Sequence, residues 1–191
     1  MYDAIPDTYC YPGTTVLINK LDLRTQKELD AFEAEITTQR ADEPLPAGRF
    51  DAAHYRAIHR HLFQDVFTWA GDLRTVRMAK DGNWFCYLEY IEAELGKLFA
   101  RLFESNLLRD LTKQDFARNS AHFLAELNAI HAFREGNGRT QLTFLALLAD
   151  QAGHPLTLER LNPADMMAAM IASFHGDEGP LFATIKRLLG A

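Results

Sequence analysis

The chain has 191 residues, of which 48% are apolar, 11% aromatic and 24% charged; this is typical of a folded protein and excludes disorder throughout. The length suits one domain better than two. With 20 basic and 26 acidic residues the net charge is −6, which argues against direct nucleic-acid binding over a broad surface, although one or two arginines with backbone amides can still hold a nucleotide.

Seven helices are predicted, some from apolar residues spaced three or four positions apart and others from capping signals or long apolar-rich runs. The clearest start is the capping box Thr25-x-x-Glu28, in which each side chain satisfies an amide at the other end of the turn. That helix is expected to run to about Thr38. The predicted helices start near Thr25, Asp51, Ile91, Thr112, Gly138, Asn162 and Pro180.

The fifth and sixth predicted helices have few polar residues. The fifth, from Gly138 to about Gln151, is apolar on most sides and is expected at the centre of the core, with Gly153 ending it in the left-handed conformation. Five side chains of the sixth helix are expected to be buried: Met166, Met167, Met170, Ile171 and Phe174.

One segment departs from the helical pattern and predicts a small β-hairpin. The run from Leu73 to Met78 precedes the tight-turn residues Asp81-Gly82-Asn83, and the aromatic run 84–87 follows. A lone hairpin is marginal in water unless it packs on something or pairs with another strand. We therefore expect an all-α helical bundle with one β-hairpin flap, forming a single domain over residues 1–191.

Cysteine content and terminal sequence bear on location. Cys10 and Cys86 are the only cysteines, which argues against a disulfide framework or a structural zinc site. The N-terminus lacks the basic start and apolar core of a secretory signal, and the longest apolar-rich run, 144–149, is far shorter than the ~20 residues that span a bilayer. We expect a cytoplasmic protein that does not bind membranes, with delivery into a host cell as the open alternative.

The segment from His131 to Arg139 carries the residues from which we predict chemistry. Gly136 and Gly138 allow a sharp turn and expose amides at the start of a buried helix, where an anion is favoured. Arg139 can reach a phosphate, Glu135 offers oxygen ligands for Mg²⁺, and His131 is a candidate general base. The loop chemistry alone also fits a plain helix–helix turn with a capped surface histidine.

The same segment closely resembles the signature of the Fic family, His-Pro-Phe-x-Asp/Glu-Gly-Asn-Gly-Arg-x-x-Arg. The resemblance extends to residues 11–14, to Asn19-Lys20-Leu21 and to the run from Ile58 to Arg74, and thus covers nearly the whole chain. It implies a Fic-type helical fold with an N-terminal arm over about residues 1–24 and a core motif over 131–142.

The resemblance also implies an activity. A Fic protein adenylyltransferase moves AMP from ATP to a hydroxyl side chain of a target protein and releases pyrophosphate, with His131 as the catalytic base and Glu135 holding Mg²⁺. The implied nucleotide- and phosphate-binding residues are Phe133, Gly136, Asn137, Gly138 and Arg139. The implied target-docking flap comprises Lys80, Asp81, Gly82, Asn83, Trp84 and Phe85.

Two positions depart from the family signature. Ala132 replaces the usual proline, which should cost local rigidity more than chemistry. Leu142 replaces the second arginine, and the loss of one charge-assisted contact is expected to weaken nucleotide binding by ~1.5–3 kcal/mol. Transfer of another nucleotide or phosphate group, and a catalytically weak nucleotide- or partner-binding module, therefore stay open as alternatives.

Regulation and partners are expected from the family pattern. The inhibitory segment Ser/Thr-x-x-x-Glu-Gly/Asn is not found at either end, since Ser173 is followed four residues later by Asp177. The expectation is a bacterial toxin-like enzyme that modifies a Tyr, Thr or Ser hydroxyl and is inhibited in trans by a small antitoxin-like partner.

Overall fold

A computed structural model describes residues 3–4, 7–80 and 82–190 of the chain, and within these the predicted all-α fold is confirmed. The helices are α1 (Gln26–Asp42), α2 (Ala52–Phe63), α3 (Ile91–Glu104), α4 (Lys113–Ile130), α5 (Asn137–Gln151), α6 (Pro163–Phe174) and α7 (Gly179–Leu188). None of these described helices combines the length and apolar character needed to cross a membrane.

The chain divides into two compact units. The first comprises Met1–Glu92 with His131–Thr140, and the second comprises Ala93–Ile130 with Gln141–Ala191. The predicted motif therefore belongs to the first unit from His131 to Thr140. The expectation of a single domain over 1–191 stays a prediction.

Side-chain caps start four helices where the sequence predicted them. The cap oxygens of Thr25, Asp51, Thr112 and Asn162 each accept a first-turn N–H over 2.8–3.3 Å. Helix α1 continues past the predicted end at Thr38 to Asp42, because the break comes only at Glu43, whose backbone is extended ahead of Pro44.

The predicted hairpin is confirmed in the first unit. Strand β2 (Met78–Lys80) pairs antiparallel with β3 (Asn83–Trp84), with Ala79 opposite Trp84. A strand that the sequence did not predict, β1 (Asp3–Ala4), pairs with the other side of β2, so the sheet order is β1-β2-β3. The backbone of β3 therefore lies at an edge of the sheet. Asp81 of the predicted flap falls outside the described residues.

In the first unit α1 packs against α2, whose Tyr55, Ile58 and Leu62 are buried as the apolar stripe predicted. This packing places the two helices that support the motif loop. Glu33 and Thr37 on α1, and His59 and Phe63 on α2, all contact residues of that loop or of the first turn of α5.

In the second unit α4, α6 and α7 pack together. The predicted ending of α5 is confirmed, since Gly153 has a φ of +78°. The expected burial of the five apolar side chains of α6 is wrong: Met167 and Ile171 are exposed, and Met166, Met170 and Phe174 are only half-buried. The buried residues of α6 are instead Ala169 and Ser173, because small side chains allow close helix packing.

Candidate active site

The predicted motif forms the loop that joins α4 to α5. His131, directly after α4, has a φ of +50° and so ends the helix in the left-handed region. The Asn137 side chain closes the loop, since its Oδ1 accepts the Phe133 N–H at 3.0 Å and its Nδ2 donates to the Phe133 carbonyl at 2.8 Å. Because the Asn137 side chain bonds to the loop itself, only its backbone N–H is left for the phosphate contact, which stays a prediction.

The two glycines of the loop have different surroundings. Gly136 has a φ of +80°, and a Cβ built there would lie 2.3 Å from the ring of Phe63, so only glycine fits. A Cβ on Gly138 would meet nothing within 4 Å. The first helical bond of α5 runs from the Thr140 N–H to the Gly136 carbonyl at 3.1 Å. The amides of residues 137–139 therefore precede the helical ladder, and the anion contact expected of them stays a prediction.

Arg139 is anchored to α1. Its Nη2 donates to the Glu33 carboxylate and its Nη1 to Thr37 Oγ1 at 3.1 Å, while the guanidinium lies 4.8 Å from the centroid of the Phe63 ring. Burial raises the pKa of Glu33, although the charge of Arg139 acts in the opposite direction. The sequence does not reveal the role of Glu33, because no local pattern connects residues that are 106 positions apart.

The ring of His131 is buried, with the residue only 3% exposed. It stacks on the ring of Phe85, with centroids 3.9 Å apart and planes 16° apart. Phe85 follows β3 and is itself buried, whereas the preceding Trp84 is 49% exposed. The two aromatic residues of the flap therefore face in different directions, one toward the candidate base and one toward solvent.

A buried arginine outside the motif also contacts the loop. Arg74 Nε donates to the carbonyl of His131 at 2.7 Å, and Nη1 and Nη2 donate to the carbonyls of Val76 and Cys86 at 2.8 and 2.5 Å. Burial lowers the pKa of Arg74 to about 10. The sequence placed Arg74 only within the run that resembles the family, and gave no sign that it reaches His131.

His59 supports the loop from α2 as a neutral imidazole. The Gly71 N–H donates to Nδ1 at 2.8 Å, so Nε2 carries the proton and donates to the Glu135 carbonyl at 3.0 Å. Burial lowers the pKa of His59 to about 4. Its ring stacks on that of Phe133 at 3.8 Å; Phe133 is fully buried, and the nucleotide contact expected of it stays a prediction.

A further ion pair ties the N-terminal arm to the loop. Arg134 is buried and donates from Nη2 and Nε to Asp7 Oδ2 at 2.6 and 3.2 Å. Although burial acts to raise it, the bonds from Arg134 hold the pKa of Asp7 below its usual value. The arm therefore helps to fix the motif, a contact that the sequence did not predict.

Glu135 is the candidate metal ligand. Its carboxylate is half-buried and its Oε1 accepts the Gly136 N–H at 2.8 Å. Among the described residues no group of three or more His, Cys, Asp or Glu side chains could hold a metal ion by itself. Mg²⁺ at nucleotide sites needs only one or two carboxylates together with phosphate oxygens, so the residues present fit a metal that is shared with a nucleotide.

Comparison with known sequences connects this site to named proteins. A sequence model described as Fic/DOC family matches residues 49–149. The chain is 52% identical to the probable protein adenylyltransferase y4lH of Sinorhizobium fredii, over 98% of both chains. It is 35% identical to the protein adenylyltransferase VbhT of Bartonella schoenbuchensis over 98% of this chain, but spans only 40% of that longer protein.

Comparison with solved structures gives the same connection. The Bartonella tribocorum BepC protein with bound AMPPNP superposes with a TM-score of 0.87 at 31% identity, over 94% of this chain and 95% of that one. The N-terminal Fic domain of a cell filamentation protein from Bartonella quintana, with bound ADP, superposes with a TM-score of 0.85 at 32% identity, over 94% and 93%.

Proposed function

This chain belongs to the Fic/DOC family, and we propose that it is a protein adenylyltransferase, which transfers AMP from ATP to a side-chain hydroxyl of a target protein. The observation that carries the proposal is the loop 131–139, in which a buried imidazole, a carboxylate, helix-start amides beside open space and an anchored guanidinium follow one another. Relatives that bear the name protein adenylyltransferase, and a related structure that holds AMPPNP, support it.

The start of α5 binds the phosphates in this proposal. The amides of Asn137, Gly138 and Arg139 donate to phosphate oxygens, and the absence of a side chain at Gly138 leaves room for them. Arg139 adds a charge-assisted bond from the guanidinium that Glu33 and Thr37 hold in place. Leu142 is half-buried on α5 and offers no such donor, so Arg139 is the arginine of the signature that remains.

His131 acts as the general base. It accepts the proton of the target hydroxyl as that oxygen forms a bond to the α-phosphorus of ATP, and the bond from this phosphorus to the bridging oxygen of pyrophosphate breaks. The leaving pyrophosphate takes the electron pair of the broken bond. The stacking of His131 on Phe85 restricts the ring to one plane, which orients the nitrogen that accepts the proton.

Mg²⁺ is the cofactor that we propose for the reaction, held by the Glu135 carboxylate together with phosphate oxygens of the nucleotide. When bound, it neutralises the charge that develops on the phosphates. The His59 bond to the Glu135 carbonyl, and the Gly136 N–H bond to its carboxylate, fix this residue from both ends.

The target docks on the flap in this proposal. Strand β3 lies at the edge of the sheet, so an extended target segment can pair with its backbone and bring a Tyr, Thr or Ser hydroxyl toward His131. Trp84 is exposed on β3 and supplies a side-chain contact for the target. Lys80, Gly82 and Asn83 complete the described part of the docking segment.

We further propose a toxin-like role and inhibition in trans by a small antitoxin-like protein. Because the reaction consumes ATP, we place it in a cytoplasm, either that of a bacterium or that of a host cell. A partner that co-purifies with the chain and blocks transfer is the expected sign of this regulation.

Labelled nucleotides test the proposal. The purified protein is incubated with a bacterial or host-cell lysate, Mg²⁺ and ATP that carries the label on the α- or the γ-phosphate. Label from the α-phosphate is expected on one or a few proteins, and mass spectrometry should find AMP on a hydroxyl side chain. Replacing His131 with alanine is expected to abolish the transfer while nucleotide binding persists, since the amides of α5 are untouched.

His122→Ala is the matched control, because His122 is an exposed histidine of the second unit that bonds to Glu178. Its transfer rate should equal that of the wild type. Transfer of the γ-label instead of the α-label, or equal activity of the His131→Ala protein, would overturn the proposal.

A further inference from the structure

The side chain of Arg74 bonds to the backbone of the candidate base and to the backbone on both sides of the hairpin. Its Nε donates to the carbonyl of His131 at 2.7 Å, and the other two nitrogens donate to the carbonyls of Val76 and Cys86. The backbone N–H of Arg74 adds a bond to the carbonyl of Ala132 at 2.9 Å. Arg74 is only 3% exposed, so its guanidinium is surrounded by the elements that it joins.

The carbonyls of Val76 and Cys86, which accept from Arg74, lie at the base of the hairpin. Val76 comes two residues before β2 begins at Met78, and Cys86 comes two residues after β3 ends at Trp84. One planar guanidinium thus holds both strands where they leave the hairpin. Cys86 directly follows Phe85, whose ring stacks on His131.

The bond from Arg74 reaches the carbonyl of His131, a residue that lies just outside α4. His131 has a φ of +50°, a conformation that residues other than glycine rarely adopt. The charge-assisted bond from Arg74 offsets this disfavoured conformation at the carbonyl. Arg74 therefore supports His131 in two ways: directly, through the His131 carbonyl, and indirectly, through Cys86, which follows the Phe85 that stacks on the His131 ring.

We propose that Arg74 is a positioning residue that fixes the His131 ring and the base of the flap in one geometry, so that the base and a docked target hydroxyl stay in register. It acts through its carbonyl contacts and not on the nucleotide. Its effect on AMP transfer rests on the proposed function, whereas its effect on the histidine ring does not.

The Arg74→Lys variant tests this inference, because lysine keeps the charge but its single ammonium cannot reproduce the planar fork that spans three carbonyls. In NMR spectra of this variant without nucleotide, the chemical shifts of the His131 ring protons should differ from the wild-type values, which the stacked Phe85 ring influences. The kcat for target modification should fall by about 10–100-fold, as expected for a misplaced catalytic group, while the Kd for ATP changes less than about twofold.

Arg56→Lys is the matched control. Arg56 also donates from Nε to a backbone carbonyl close to Arg74 in the chain, that of Gly71 at 2.9 Å, and its one ion pair in the described structure is with Asp72. We expect it to leave both the His131 ring shifts and kcat at wild-type values. If Arg74→Lys loses stability but keeps the wild-type His131 ring shifts, Arg74 has a purely structural role.

The Arg74→Gln variant serves where Arg74→Lys does not fold, and should move the His131 ring shifts in the same way, because its short side chain cannot reach three carbonyls. The Phe85→Leu variant tests the same link from the other end. It removes the ring that imposes the His131 shifts, so its readout is kcat: its loss should not multiply with that of the Arg74 variant in the double variant. Unchanged His131 ring shifts in a folded Arg74 variant, or losses of kcat that multiply in the double variant, would overturn the inference. Moved ring shifts without any AMP transfer by the wild type would instead overturn the proposed function alone.

Discussion

Glu33 on α1 accepts a hydrogen bond from Arg139 at the start of α5, and thereby holds the guanidinium that we assign to phosphate binding. Arg139 is 40% exposed on its side chain, whereas Glu33 is only 12% exposed. A carboxylate in this place orients the guanidinium, but it also adds a negative charge beside the site of an anion. The two effects can be separated, because an amide keeps the acceptor and removes the charge.

Replacing Glu33 with glutamine should therefore strengthen nucleotide binding. The amide oxygen still accepts from Arg139, while the repulsion of the phosphates is lost, so the Kd for ATP should fall on the order of three- to tenfold. Calorimetric titration with ATP at low and high salt measures the change, which salt should reduce.

Glu35→Gln is the control for charge alone, because Glu35 is exposed on the same helix and bonds to Gln39. It should leave the Kd for ATP within about twofold of the wild type at moderate salt. Weaker binding by the Glu33→Gln protein would mean that orientation of Arg139 requires the charge.

The pH dependence of stability should be affected by His59. Burial lowers its pKa to about 4 in the folded protein, against 6.5 as its ordinary value. The unfolded chain therefore takes up a proton at higher pH than the folded one. The free energy of unfolding should be unaffected by His59 above pH 6.5, fall as the pH drops from 6.5 to 4, and level off below, with a total loss of about 3 kcal/mol.

Urea unfolding at a series of pH values, with wild type and His59→Asn, measures this loss. The variant should be less stable at pH 7, because the bonds to Gly71 and Glu135 are disturbed, but its stability should fall less between pH 6.5 and 4. Equal slopes in the two proteins would contradict the assignment.

The helices and the flap could be predicted because their signals are local. The cap at Thr25 and the tight turn around Gly82 each depend on residues within a few positions. The prediction that failed concerns the buried face of α6. Apolar residues lie on nearly every side of this helix, so no periodic pattern indicates which face is buried. Ala169 and Ser173 are buried there because they are small, which a search for large apolar residues does not find.

The candidate site was only partly predictable for a related reason. The loop 131–139 is contiguous, so its residues appear together in the sequence. Its supports come from distant positions: Asp7, Glu33, His59 and Arg74 each bond to the loop or to Arg139 across a long stretch of chain. No periodicity or capping rule connects such pairs, so the fold had to place them.

The exposed side chain of Trp84 should matter for the target and not for the nucleotide. In the described structure its ring packs on Arg77, at 4.4 Å, and it projects from the edge strand β3. Trp84→Ala should raise the KM for the target protein about tenfold, as for an exposed aromatic anchor at an interface, with the Kd for ATP unchanged. Initial rates at varied target concentration measure it.

Tyr87→Ala is the matched comparison, because the ring of Tyr87 also packs on Arg77, at 4.2 Å, but Tyr87 lies beyond β3. A smaller rise in KM is expected for it. An equal rise in both variants would assign the effect to Arg77 rather than to contact between Trp84 and the target.

Replacing each of the two motif glycines with alanine should affect stability differently. A Cβ at Gly136 would lie 2.3 Å from the ring of Phe63 at a φ of +80°, so Gly136→Ala should lose at least about 2 kcal/mol of stability. A Cβ at Gly138 meets nothing within 4 Å, so Gly138→Ala should fold with the stability of the wild type.

Nucleotide binding then shows what the open space at Gly138 is for. If phosphates lie against the amides of α5, the added methyl group of Gly138→Ala fills their place and should weaken ATP binding by about tenfold or more, while thermal unfolding stays unchanged. Gly96→Ala is the control, because Gly96 lies in helix α3 and a Cβ there would also meet nothing within 4 Å. It should lower neither the affinity for ATP nor the thermal stability. Normal ATP binding by Gly138→Ala would place the phosphates away from the start of α5, because a methyl group at that position cannot coexist with an anion against the same amides.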